Sequence, residues 1–222
     1  MEDKRKNLNE EMKSAVKNFL CDMMLIERNS RRENLLHYAC HNNLYYLIIP
    51  FVRQGYCIYQ QDIEGQTPLH IAIIKGHQLC VEEFLRLFEI CKRHRLHETA
   101  LDPLRRDIHH MFLVYNYRGY TVLHEAVRRE IPLAIFGEML KICLALKLNF
   151  EDMEILGSGD TLLHLIVQYN RLDLARIICD LVPELLRQPN YPGILPLQME
   201  CITREMANIL RNENSIRSCY KE

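Results

Sequence analysis

One six-residue pattern recurs along this chain, and it constrains the fold more than any other feature. Thr67-Pro68-Leu69-His70-Ile71-Ala72 is its fullest form. Thr121-Val122-Leu123-His124-Glu125-Ala126 and Thr161-Leu162-Leu163-His164-Leu165-Ile166 echo it. Asn34-Leu35-Leu36-His37-Tyr38-Ala39 is a looser copy upstream, and Leu195-Pro196-Leu197-Gln198-Met199 a degenerate one downstream. The histidines lie 33, 54 and 40 residues apart, and Gln198 follows His164 by 34. These intervals fit one period of 33, with an insert of about 21 residues after the second copy and about 7 after the third. A chain that repeats at such a period stacks short units, each burying its apolar face on its neighbours.

The residues around each copy specify the local structure. Gly65, Gly119, Gly159 and Gly193 stand two positions before the first motif residue, and Asp62, Asn116 and Asn190 five before it. Asp or Asn followed by Gly marks a tight hairpin tip, because Gly accepts positive φ without steric penalty. Arg31 and Arg32 stand where the first tip would carry its Gly. Thr67, Thr121 and Thr161 then occupy a helix N-cap, and Pro68 fits the first helical position. Leu69, Leu123 and Leu163 point into the stack, while Ala72 and Ala126 let paired helices approach. The repeated His70, His124 and His164 read as buried imidazoles bonding backbone between units, since repetition at a structural period argues for a structural task. A second helix follows each copy, with apolar runs Leu79, Val81, Phe84, Leu85, Leu87; Ile135, Met139, Leu140, Cys143; and Leu172, Leu174, Ile177, Ile178, Leu181 at helical spacing.

The period of about 33 with its T-P-L-H-x-A signature resembles the ankyrin repeat. That resemblance implies an all-α solenoid of about five helix-turn-helix repeats. The expected organisation is a capping helix in residues 1–29, a repeat domain over 30–211 and a polar, fraying tail over 212–222. Its units lie at about 30–60, 61–114 with an insert, 115–154, 155–188 and 189–211. The cap is read from Leu8, Met12, Ala15, Phe19, Met23 and Ile26 on one helical face; a partner-binding helix is the alternative. Three features are similar to the IκB family, the inhibitors of Rel/NF-κB transcription factors. They are the segment Asp62 to Ile74 with its Ala-Ile-Ile ending, the uneven inserts, and the closing Asn190-Tyr191-x-Gly193-x-x-Pro196-x-Gln198. The IκB resemblance implies a non-enzymatic inhibitor that binds a Rel/NF-κB dimer and blocks nuclear import or DNA binding. The family's phosphorylation box and acidic tail have no counterpart here, so a constitutive inhibitor of the kind viruses or insects carry is expected. A generic ankyrin adaptor, for a ubiquitin ligase or a signalling scaffold, is the alternative.

In such a stack, hairpin tips and inner helices line one recognition surface. Tyr117, Arg118, Tyr120, Arg128 and Arg129 are the leading candidates, because Tyr and Arg dominate interface energetics. Lys75, Gln66, Gln168, Tyr169 and Asp160 complete the set, with Tyr38, His41, Asn42, Glu64, Ile74, Ser158, Tyr191 and Ile194 also unconstrained by the motif.

Other chemistry is weighed on the same residues. Cys91, His94 and His97 could place three metal donors on one helix flank, with His109 and His110 near. No second ligand pair follows at zinc-finger spacing, so no metal is expected. Lys92, Arg93, Arg95, Arg105 and Arg106, with Pro103 as a breaker, read as an irregular basic segment diluted by Glu89, Glu98, Asp102 and Asp107. With a net charge of −1, no nucleic-acid partner is expected. No phosphate-cradling glycine loop or nucleophile elbow is present, and Ser158 reads as a turn residue. No enzyme activity and no cofactor are expected. No apolar run reaches the ~18 residues a membrane span needs, and no secretory signal is read at the start. The nine cysteines form no C-x-x-C pair, which suits a reducing compartment. Cytoplasmic, and also nuclear, residence is the expectation.

Overall fold

The computed structural model describes residues 29–93 and 103–218, and among these no strand occurs. In chain order the helices are α1 (Leu35–His41), α2 (Ile48–Arg53), α3 (Pro68–Lys75), α4 (Gln78–Arg93), α5 (Pro103–Leu113), α6 (Val122–Arg128), α7 (Leu133–Ala145), α8 (Leu162–Gln168), α9 (Leu172–Leu181) and α10 (Arg204–Ser218). The short helices α1, α3, α6 and α8 pack side by side as an inner row. Their partners form a row behind, with α2 on α4, α4 on α7, α7 on α9 and α9 on α10. One continuous apolar core runs between the rows, anchored by Phe84, Phe112 and Phe136.

Each inner helix begins in the same way. Asn34, Thr67, Thr121 and Thr161 are N-caps in extended backbone, each paired reciprocally with the histidine three residues on. The backbone N–H of Thr67, Thr121 and Thr161 donates to histidine Nδ1 at 3.3, 3.1 and 3.2 Å. Nδ1 is therefore the acceptor and the proton sits on Nε2. That proton reaches the next hairpin: His37 donates to the Gln66 carbonyl at 3.2 Å, His70 to Tyr120 at 3.1 Å and His164 to Ile194 at 2.9 Å. Gln198 copies the inner half of this device, its Oε1 accepting from Leu195 N–H at 3.0 Å.

The inner helices also end alike. Leu44, His77, Ile131 and Arg171 donate backward to the carbonyls of Ala39, Ala72, Ala126 and Ile166. The residue just before each donor is left-handed, and the four are Asn43, Gly76, Glu130 and Asn170. Glu130 is the one with no polar-turn or glycine advantage there. Replacing Glu130 by Gly is expected to raise stability by about 0.5–1 kcal/mol in urea melts, since relief of the Cβ clash exceeds the added chain entropy.

The hairpin tips are linked one to the next. Ile63 N–H donates to the Arg31 carbonyl, Tyr117 to Glu64, Leu156 to Gly119 and Tyr191 to Ser158, at 3.0–3.2 Å. Asp62 and Asn116 close their own tips by accepting two backbone N–H groups on Oδ1. In the first tip Arg32 fills the left-handed slot of the absent Gly, at φ 57. Gly65 has φ +72, and a Cβ there would stand 2.7 Å from the Tyr117 backbone nitrogen, which cannot swing aside. Gly65→Ala is expected to destabilise by about 2 kcal/mol, from left-handed strain plus loss of the tip-to-tip bond. Gly55→Ala, at φ +92 with open space around it, carries the strain alone, about 1 kcal/mol. Parallel urea melts of the two variants separate the terms.

Several expectations change here. Pro103 opens helix α5 rather than breaking a helix, because its missing N–H is harmless in a first turn. The segment from 103 onward is thus ordered, with Ile108, Met111 and Phe112 buried. Leu79 and Leu181, assigned to buried faces, are 47% and 43% exposed at helix ends. The tail is helical as far as Ser218. The expected cap, Leu8 to Ile26, and His94 and His97 lie outside the described residues.

Candidate protein-binding site

Glu125 organises the site, although it is not one of the exposed residues. It stands at the variable position of its motif, where other units carry Tyr38, Ile71 and Leu165, and it is fully buried. Arg128 Nη1 donates to Glu125 Oε1 at 3.0 Å and Oε2 at 3.1 Å. Asn116 Nδ2 donates to Oε1 at 3.1 Å, and Arg129 Nε approaches Oε2 at 3.7 Å. A carboxylate taken from water is tolerable only with such partners. The helix explains the pairing: residues three and four apart share a face, so Arg128 and Arg129 both reach back over Glu125.

Arg128 is held from two further directions. Its guanidinium lies 4.4 Å over the Tyr120 ring, and its Nε donates to the Tyr169 hydroxyl at 3.4 Å. Burial alone would weaken the Arg128 charge, but Tyr169, Glu125 and Tyr120 outweigh it and hold the group more firmly protonated. Tyr120 comes from a hairpin tip, Arg128 from the end of α6 and Tyr169 from the cap after α8, so neighbouring units are joined. The result is a rigid amphipathic patch, with side-chain entropy already spent before a ligand arrives.

Of the expected residues, Tyr120, Arg128, Arg129 and Tyr169 are thus brought together. Tyr117 is 68% exposed, yet its ring packs on Gly65, as the Tyr191 ring packs on Gly159. Both tyrosines therefore seal tips as well as facing solvent. Arg118 is exposed beside Tyr117, its N–H accepted by Asn116 Oδ1 at 3.0 Å. Gln66 is turned onto Glu64 at 2.7 Å, and Asp160 accepts from Asn190 Nδ2 at 2.7 Å. Lys75 and Gln168 are exposed at the ends of α3 and α8. Among the described residues, no hydrogen bond or ion pair joins these last four to the Glu125 cluster. The sequence reading missed Glu125 and Asn116. The signal was a lone acid among apolar residues, one helical turn before two arginines.

Each of these units runs hairpin tip, capped inner helix, then a second helix packed against it. Residues 7–94 match the family model described as ankyrin repeats (3 copies). The ankyrin match takes in residues 7–28, which the sequence reading had set apart as a cap. The Thr–His device recurs beyond the matched stretch, at the starts of α6 and α8. No curated protein matches the chain. Among the described residues no group of three or more His, Cys, Asp or Glu could hold a metal ion, and no helix is long and apolar enough to cross a membrane.

Proposed function

We propose that the chain is a non-enzymatic protein-binding module acting as an IκB-like inhibitor in the cytoplasm, where it engages a Rel/NF-κB dimer and blocks nuclear import or DNA binding. Ankyrin repeats support the protein-binding half of this reading. The single observation that carries the choice of surface is the clamp of Arg128 between Glu125, Tyr120 and Tyr169. Interfaces are dominated by a few pre-ordered aromatic and arginine side chains, and this cluster supplies them on the inner row. The Rel reading rests on the resemblance of Asp62–Ile74 and Asn190–Gln198 to that family.

Calorimetric titration of the chain with a purified Rel-homology dimer tests both halves. Submicromolar binding is expected, and Arg128→Ala with Tyr169→Ala should weaken it at least tenfold, about 1.4 kcal/mol or more. Binding that survives both changes moves the site elsewhere on the stack. Absence of binding to any Rel dimer removes the inhibitor reading and leaves an adaptor for another protein.

A further inference from the structure

A cavity of about 80 Å³ opens where the α3–α4 unit meets the α6–α7 unit. Its floor is apolar and buried: Ala72 and Ile73 of α3, Val81 of α4, and Ile131 and Ile135 at the start of α7. Its mouth is exposed and is formed by Gly76, Gln78, Arg129, Glu130 and Pro132. Gly76 keeps that mouth open. Among the left-handed residues that end the inner helices, Asn43, Glu130 and Asn170 carry side chains and Gly76 does not. A Cβ added at Gly76 would meet nothing within 4 Å. The volume is about half the ~150 Å³ of an apolar cavity that admits benzene, so it suits the branched end of a Val, Leu or Ile side chain and not an aromatic ring.

The charges around the mouth are unequal. Lys75 ends α3 and Arg129 follows α6, each just before the left-handed residue of its own unit, so they hold the same place in successive repeats. Arg129 is loosely engaged: its Nε is 3.7 Å from Glu125 Oε2, which already accepts from Arg128 at 3.1 Å. Against these two cations the inner-row edge sets one acid, Glu130. On the opposite edge Glu82 is exposed, one helical turn beyond Gln78. We propose that the cavity receives an aliphatic side chain from an extended segment of the partner protein, and that an acidic residue next to this anchor is bound by Arg129 and Lys75. The inference rests on the protein-binding half of the function proposed above and not on the choice of a Rel dimer. The acid lies over the inner row, because Glu82 repels it over α4. Burial of the aliphatic end supplies affinity, and a charge-assisted bond to Arg129 fixes direction while breaking only a long contact. Arg128 and Arg129 both reach Glu125, so the bound segment runs from the cavity onto the Tyr120–Arg128–Tyr169 cluster.

The test uses the full chain with labelled isoleucine and valine methyl groups, titrated by NMR with the capped peptide Gly-Ser-Leu-Glu-Ser-Gly. The Ile73, Val81, Ile131 and Ile135 methyl signals are expected to shift together and to saturate with a Kd of about 0.1–1 mM. Peptides with Phe in place of the Leu, or Lys in place of the Glu, should bind about tenfold more weakly. Gly76→Asn should weaken the parent peptide by about the same factor. Its circular dichroism should match the parent chain, because Asn43 and Asn170 already hold the same left-handed turn. Arg129→Gln should remove the preference for Glu over Lys in the peptide. Absence of saturable shifts at these methyls, or equal binding by a folded Gly76→Asn chain, would overturn the proposal. No Rel dimer enters this measurement, so its failure leaves the Rel reading to the calorimetric titration, and a failed Rel titration leaves the cavity to this one.

Discussion

Lowering the pH from 7 to 5 is expected to destabilise this fold by about 4 kcal/mol through two buried histidines alone. Burial holds His70 down at about 4, against the favourable bond to the Tyr120 carbonyl. Burial, then the proximity of His70, holds His124 at about 3. Both are neutral in the fold, and both return to about 6.5 when the chain unfolds. As the pH drops through 6.5, the unfolded chain takes up protons that the folded chain refuses, so stability falls. At pH 5 each site contributes about 2 kcal/mol of loss, which grows until the pH passes the folded value. Above pH 7 the fold is fully stable with respect to these groups. His37 and His164 are shifted in the same direction by burial. For a domain of ordinary stability this suffices to unfold it between pH 6 and about 4. Urea midpoints measured from pH 7.5 to 4.5 check it. The double variant His70→Gln with His124→Gln should flatten that dependence, because Gln198 already shows that an amide can serve the cap. An unchanged midpoint down to pH 4.5 in the parent chain would show that these imidazoles are not held neutral.

Glu125→Ala is the substitution with the next largest expected effect, about 3 kcal/mol of stability. The carboxylate is buried and accepts from Arg128 and Asn116. Its removal leaves the Asn116 amide unpaired in the interior and Arg128 beside a void. The Arg128 side chain is 20% exposed and regains some water, which keeps the loss at the lower end for a broken buried pair. The Arg129 contact is long and half in solvent, and contributes little. Arg128→Ala should cost about 2–3 kcal/mol, since Asn116 is then the one hydrogen-bond donor left to the buried Glu125 carboxylate. The double variant should be far less unstable than the sum, giving a coupling of about 1–2 kcal/mol in a urea-melt cycle. Additive losses would mean that the pair is not the unit described.

Where the same local device recurs, the sequence could be read directly. Thr at the cap, His three residues on and Gly in the tip describe the inner row and its bonding before any coordinates. Features carried by one copy were harder. Glu125 lies in a slot that varies, and its burial follows from two arginines and an asparagine that only the folded hairpin brings near. The helix α5 hides behind Pro103, which sequence pattern reads equally as a stop or a start. Leu79 and Leu181 satisfy helical periodicity yet lie where the helix leaves its neighbour. Tyr117 and Tyr191 looked free because the pattern does not fix them, but a glycine in the adjoining tip offers each ring a seat. The Rel reading depends on partner surfaces, which neither periodicity nor packing encodes.

His124 is the odd member of its series. Its buried Nε2 meets no acceptor at hydrogen-bond geometry, and the Met153 carbonyl only biases its charge. The adjoining tip is one residue longer, closing from Ile155 N–H to the Asp160 carbonyl rather than over four residues. The Asp160 carbonyl, which holds the place of the Gln66, Tyr120 and Ile194 acceptors, takes no bond from His124. A molecule drawn apart by its ends in optical tweezers would then have a built-in seam. That seam is held by the Arg128–Tyr169 bond across it, so in Tyr169→Phe it should tear first, between α6 and α8, the two halves coming away as intact pieces before either unravels.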